Sequence, residues 1–157
     1  MIWKPHVTVA AIAEQEGRFL VVEERVRGQL VLNNPAGHLE ESEDFQAAIQ
    51  REMLEETGWE YQPEILTGIY LWKNRRLDTT FLRVTFFGRC IRHHPDLPLD
   101  KGIVGPRWFT RDELADRQHT LRSPMVIRCI DDYLAGRRYP LELLTCFPEF
   151  EVSLDDA

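Results

Sequence analysis

The chain has 157 residues, 43% of them hydrophobic and 29% charged, with a formal net charge of −7. That length fits one domain with a core large enough to stand alone, and the composition is ordinary for a globular protein. The acidic balance excludes a general nucleic-acid binder, which needs a basic surface, but leaves anionic small molecules open because a bound metal inverts the local field.

The first six residues have no signal-peptide layout, and the apolar run at 7–13 is too short to span a membrane. Cys90, Cys129 and Cys146 are far apart and odd in number, so reduced thiols in a cytoplasmic protein are expected. Residues 7–13 are β-branched and apolar, which predicts a strand buried on both faces. Residues 14–17 read as a turn and 18–24 as a second strand, so the two strands are expected to pair as a hairpin. Arg25, Arg27 and Gly28 fall in a polar connection. A short strand at 30–32 is ended by Asn33, Asn34 and Pro35, and Ala36, Gly37 and His38 lead towards a helix.

Between Glu43 and Thr57 there is no Pro or Gly, and Ala, Gln, Glu, Leu and Met dominate, which predicts that helix. Ser42 is the expected N-cap, with Glu43 and Asp44 in the first turn, and Gly58 the expected left-handed stop. Strands follow at 65–73 and 79–92, flanking a polar turn, and a loop at 93–105 carries Pro95, Pro98, Gly102 and Gly105. A short strand at 107–109 precedes a capping box, Thr110 to Glu113, that opens a helix through about residue 117. Ser123 as N-cap and Pro124 in the first turn open a last helix, with Val126, Ile127, Ile130, Tyr133 and Leu134 apolar, ending near Gly136. The tail from Pro140 reads as irregular, with residues 155–157 frayed. There is no internal repeat and no linker, so residues 1–157 are expected to form a single domain.

The 43–57 helix carries the chemistry. At about 100° per residue, Glu55 lies about 60° to one side of Glu52 and Glu56 about 40° to the other, so the three carboxylates share a sector of roughly 100°. Like charges so placed repel by a few tenths of a kcal/mol. A hard divalent cation offsets that repulsion, and Mg²⁺ is typically held by one or two carboxylates plus substrate phosphates. An acidic helix face taken alone is more often a solvated surface. The wider spacing decides between the two: Gly37, five residues, Glu43, seven residues, Arg51-Glu52-Met53, one residue, Glu55-Glu56, one residue, Gly58-Trp59. Seven specified residues at roughly one in fifteen each give a chance match of about 10⁻⁶ over a chain this long.

This pattern fills every fixed position of the Nudix box, at 37–59, and the chain is identified on it as resembling the Nudix hydrolase superfamily. The segments 4–10, 35–40, 122–124 and 138–142 resemble a bacterial phosphatase subgroup of that superfamily, so the likeness runs from about residue 4 to 147. It implies an α/β Nudix fold, a mixed β-sheet sandwiched between α-helices. It implies a Mg²⁺-dependent hydrolase, with Mn²⁺ as substitute, of phosphoanhydride bonds in nucleoside di- and triphosphates and small pyrimidine diphosphates of the thiamin-precursor or thiamin diphosphate type. Release of inorganic phosphate is expected. The alternatives are a pyrophosphohydrolase releasing pyrophosphate, a Nudix enzyme of another reaction class such as an isoprenoid-diphosphate isomerase, or a non-catalytic Nudix binding module.

The resemblance also assigns the site. Glu55 and Glu56 are the expected principal metal ligands, Glu52 a ligand or the general base, and the Gly37 carbonyl a further metal contact, with Glu43 and Arg51 as a supporting salt bridge. Many family members add an acid from a late loop; here either Asp96 or Asp100 is nearest, or neither serves, because the Glu often found ahead of the Trp is missing. His38, Arg25, Tyr70, Trp72 and Arg83 are candidate substrate contacts, weighed against a structural turn histidine, solvated arginines and core aromatics. The expected partner is a phosphorylated small molecule, with no nucleic acid and no membrane, bound by a monomer or homodimer.

Overall fold

The computed structural model describes residues 1–147; the fraying expected at 155–157 lies outside the described residues. Strand β1 (His6–Ile12) is the centre of the fold. Its residues Val9 to Ile12 are at most 1% exposed, so both faces need cover. Its neighbours are β5 (Ala36–His38), antiparallel, and β7 (Thr79–His93), parallel over its whole length, with β6 (Trp59–Asn74) completing a mixed sheet in the order β5-β1-β7-β6. A second sheet is built around β3 (Arg18–Val26), with β8 (Ile103–Phe109) on one edge and β2 (Glu14–Gln15) and β4 (Gln29–Asn33) on the other.

The expected hairpin between 7–13 and 18–24 does not form. The tight turn is real: Glu16 (φ 51°) and Gly17 (φ 76°) both adopt the left-handed conformation that two-residue hairpins require. It joins β2 to β3, while β1 has already been claimed by β7 in the other sheet.

Alternation along the strands divides the apolar side chains into two cores. Val9, Ala11, Leu20 and Phe86 pack with Ala48, Ile49 and Met53 of α1 (Phe45–Thr57). Ile12, Phe19 and Val21 pack with Leu114 of α2 (Arg111–Asp116) and with Cys129 and Ile130 of α3 (Met125–Leu134). The strands are thus sandwiched between helices, as expected, but as two sheets rather than one.

Helix ends show which expectations depended on local chemistry alone. The α1 N-cap is Asp44, whose Oδ1 accepts from Ala47 N at 2.7 Å, not Ser42. Ser42 sits at φ 67°, whereas a cap needs extended backbone, so Glu43 and Asp44 both precede the first turn. Gly58 stops the helix at φ 71° with its N–H on Leu54 O at 2.9 Å, as expected. The Thr110–Glu113 capping box is present in both directions, at 3.2 and 2.8 Å; α3 instead starts one residue later than expected, with Pro124 and not Ser123 at the cap position, although the Ser123 hydroxyl accepts from Met125 N at 3.2 Å. β6 starts directly after Gly58, and register shifts absorb Pro63 and Gly68. β8 starts at Ile103 and tolerates Pro106 because it is an edge strand, which shortens the expected loop. The tail is not wholly irregular: Leu141–Leu143 form one 3₁₀ turn. Among the described residues no helix is long and apolar enough to cross a membrane.

Candidate functional site

The acids of α1 meet β5 at the edge of the mixed sheet. The pairing Val9↔Gly37 holds β5 flat beneath the helix. A Cβ at position 37 would lie 1.9 Å from Glu52 Oε1, so Gly37 is required here for space, not for its backbone angle. Glu56 turns the other way and accepts from Ala36 N at 2.9 Å. Glu52 and Glu56 are both buried, at 7% and 8% exposure, while Glu55 is more open.

Arg51 organises this end. Its Nε and Nη2 fork onto the Glu43 carboxylate at 3.0 and 2.7 Å. Its Nη1 reaches Glu52 at 2.9 Å and Glu55 at 3.1 Å, and Nη2 also donates to His38 O at 3.0 Å. The Glu43–Arg51 pair expected from spacing is therefore present, and it is joined to two acids and to the β5 backbone. The charges respond accordingly. Hydrogen bonds from Arg51 hold the Glu43 carboxyl below its usual range, and those to Glu43 raise the Arg51 guanidinium further. Burial raises Glu52 against the pull of Arg51. Burial pushes Glu56 up to about 9, with the Ala36 N–H opposing and the charges of Glu52, Glu24 and Asp100 adding. His38, 3.1 Å from His6 through Nε2 and Nδ1, is lowered by burial and then by His6.

This is a set of hard oxygen donors: crowded carboxylates, Glu52 and Glu56 buried and Glu55 more open, with Arg51 serving Glu52 and Glu55. Such a set suits Mg²⁺ or Mn²⁺ and not a soft metal. Among the described residues no three acidic, His or Cys side chains converge on a ready-made cation position. Glu52 and Glu55 are turned onto Arg51, and Glu56 onto Ala36 N.

The acids open into a cleft of about 400 Å³. Three further carboxylates line it, Glu24, Glu40 and Asp100. Asp96 does not; the Asp100 N–H donates to Glu55 O at 2.9 Å, which ties the late loop to the end of α1. Glu24, at the far end of β3, was not a sequence candidate; it is only 14% exposed and bonded to Arg122 at 2.5 Å. No linear signal marks it, because strand pairing alone brings it to α1.

Of the substrate candidates, His38, Trp72 and Arg83 line the cleft. Arg25 and Tyr70 do not. Arg25 is exposed, its backbone N–H on Gly102 O at 2.8 Å, and the Tyr70 hydroxyl donates to Asp132 at 2.8 Å on the α3 side. Thr8 and Asn33 also line the cleft and were not candidates. Arg83 is 5% exposed, makes no ion pair among the described residues, and donates from Nη1 to Asn34 Oδ1 at 3.2 Å. Burial lowers its pKa from the usual guanidinium value.

The family profile for the NUDIX domain matches residues 4–129. The chain is 41% identical over 146 residues to phosphatase NudJ of Escherichia coli K12, covering 93% of this chain and 94% of that protein. A NUDIX hydrolase from Nitrosomonas europaea superposes with a TM-score of 0.90 at 50% identity, covering 92% of this chain and 98% of the other. A bifunctional NMN adenylyltransferase/ADP-ribose pyrophosphatase from Francisella tularensis, complexed with AMP and a Mn ion, superposes with a TM-score of 0.66 at 18% identity over 85% of this chain and 42% of its own. The last likeness is one of fold alone.

Proposed function

The chain belongs to the Nudix hydrolase family, and from that premise we propose that it is a Mg²⁺-dependent hydrolase of phosphoanhydride bonds in nucleoside di- and triphosphates and small pyrimidine diphosphates, releasing inorganic phosphate. The observation that supports the reading is the close approach of Glu52 to Gly37, where a Cβ would clash, together with Glu56 on Ala36 N, so that two helix carboxylates lie against the β5 backbone and Glu55 lines the same cleft. Glu55, Glu56 and the Gly37 carbonyl hold the cation, with Mn²⁺ able to replace Mg²⁺. When bound, it screens the phosphate charges and lowers the pKa of coordinated water. Glu52 is a further ligand or takes up the proton of the attacking water. Arg51 and Glu43 keep these carboxylates oriented, and the late-loop Asp100 adds a carboxylate on the far side.

The likeness to a phosphatase over almost the whole chain supports attack at the terminal phosphorus. A time course with a nucleoside triphosphate, resolved by ion-exchange chromatography without added pyrophosphatase, tests this. Diphosphate should appear first, then monophosphate, with phosphate released directly. Monophosphate and pyrophosphate appearing together from the first turnover would instead place the cut at an inner phosphorus.

A further inference from the structure

A second cavity, of about 310 Å³, shares no lining residue with the cleft. Its size is that of a small-ligand pocket. Residues 66–70 of β6 line one side, Arg128 and Asp132 of α3 another, and Arg137, Tyr139 and Leu143 of the tail the third. The tail is fixed there. Leu66 and Tyr139 exchange backbone hydrogen bonds at 2.9 Å in both directions, and Arg137 N donates to Asp132 O at 3.0 Å.

Asp132 is the one acid among the described residues that line this cavity, and it is 5% exposed. It accepts from the Tyr70 hydroxyl at 2.8 Å and from Arg128 Nε at 3.1 and 3.2 Å, and it pairs with Arg137 Nε at 3.5 Å. Burial works against its charge, but Tyr70 and Arg128 outweigh burial and hold the carboxyl below its usual range. One buried carboxylate thus holds two guanidinium groups by their Nε edges. Among the described residues the terminal nitrogens of both have no hydrogen-bond partner. Asp131, the preceding acid on α3, is taken up by Arg111 at 2.8 and 3.0 Å and does not line the cavity. Two cations against one anion leave the cavity positive in a chain whose net charge is −7. The terminal edges of two arginines offer more N–H donors than a carboxylate can accept, and the three terminal oxygens of a phosphate monoester match them better. Tyr139 and Leu143 are exposed and line the same cavity, which leaves room for an apolar body beside the anion.

We propose that this cavity binds a phosphate monoester with a flat apolar body, its phosphate on the terminal nitrogens of Arg128 and Arg137 and its body against Tyr139 and Leu143. The site goes beyond the hydrolase reading and does not depend on it, because no acid of the cleft takes part.

The probe is phenyl phosphate, titrated into the whole metal-free chain in EDTA and followed by calorimetry and by amide chemical shifts. Amides at 66–70 and 137–143 should move, and those at 36–40 beside the acidic helix should not. Binding should weaken about 10-fold in Arg128→Gln and in Arg137→Gln, the scale of one charged hydrogen bond. Arg137→Gln leaves Asp132 its bonds to Tyr70 and Arg128, so that variant should fold. Tyr139→Ala keeps the backbone pairing with Leu66; it should weaken phenyl phosphate severalfold and leave inorganic phosphate unaltered, and it decides if an arginine variant fails to fold. No binding to the wild type up to about 10 mM, unaltered binding in a folded arginine variant or in Tyr139→Ala, or shifts confined to 36–40 would each overturn the site. Benzoate binding as tightly as phenyl phosphate would overturn the assignment to phosphate.

Discussion

Two of the three arginines that line the cleft solve opposite problems. Arg51 is satisfied many times over, forked on Glu43 and shared with Glu52, Glu55 and the His38 carbonyl. Arg83 is buried and, among the described residues, has no ion pair, no partner for Nε, and one side-chain oxygen partner, Asn34, 49 positions away in the chain. The first arrangement orients charged groups and leaves them little freedom. The second leaves a buried polar atom unpaired among the described residues. One end of the cleft is therefore built to position charge, and the other holds a buried charge with few partners.

The largest expected effect falls on the Arg51 end. Excess EDTA should abolish hydrolysis and Mg²⁺ or Mn²⁺ should restore it, since every donor there is an oxygen. Full turnover in EDTA would remove the cation from the reading of this end altogether. Next in size, Glu55→Gln and Glu56→Gln should each lower kcat by at least about 10²-fold while the protein stays folded by circular dichroism. Gln at 56 can still accept from Ala36 N, so that variant isolates charge from structure. Near wild-type kcat in both at saturating Mg²⁺ would show that these acids serve only the fold.

A smaller effect separates orientation from mere charge. In Arg51→Lys the charge remains, but a single ammonium cannot fork onto Glu43 and reach Glu52 and Glu55 at once. We expect kcat to fall about 10-fold with KM less affected, the scale seen when groups supporting a metal ligand are lost. An Arg51→Lys enzyme with wild-type kcat would mean that the fork is ornamental.

The same contrast explains what was legible in the chain. Everything at the Arg51 end lies on or next to one helix, where 3.6 residues per turn convert spacing into geometry, so Gly37, Glu43, Arg51 and the three acids could be read as a unit. The Arg83 end depends on the pairing of β1, β6 and β7, which no local pattern fixes. Arg83 could be named but not told apart from Arg25, which lies outside the cleft, and Thr8, Asn33 and Glu24 carried no signal at all. Trp72 and Tyr70 looked alike as strand aromatics and do share one face of β6; their position along the strand puts Trp72 in the cleft lining and Tyr70 within reach of Asp132. The fold divides in the same way. Turn and cap chemistry at Gly17, Gly58 and Thr110 was local and readable. The assignment of β1 to a different sheet from β3 was not, because it reflects a parallel partner some 70 residues downstream.

The smallest effect concerns stability alone, and two carboxylates of this end drive it in opposite directions. Glu43 is held below its usual range by Arg51, so its contribution is present above about pH 4.3 and is lost as acid protonates it. Glu56 is pushed up to about 9 by burial. Its unfolded counterpart titrates near 4.3, so the fold is favoured by the protonated form and loses that contribution as pH climbs from about 4.3 towards 9. Metal-free protein should therefore melt highest near pH 5, with Tm falling by on the order of 5 °C towards pH 9. In Glu56→Gln the alkaline fall should flatten, and in Glu43→Gln the acid fall should flatten instead. Excess Mg²⁺ should raise the alkaline limb of the wild type more than that of Glu56→Gln, because the variant keeps only one of the two buried carboxylates, Glu52. Melting curves at pH 3.5, 5, 7 and 9, with and without Mg²⁺, suffice. An alkaline slope that persists undiminished in Glu56→Gln would place its origin in Glu52, which burial also raises, or in the general acidity of the chain, whose net charge is already −7, and not in the carboxyl buried against Ala36.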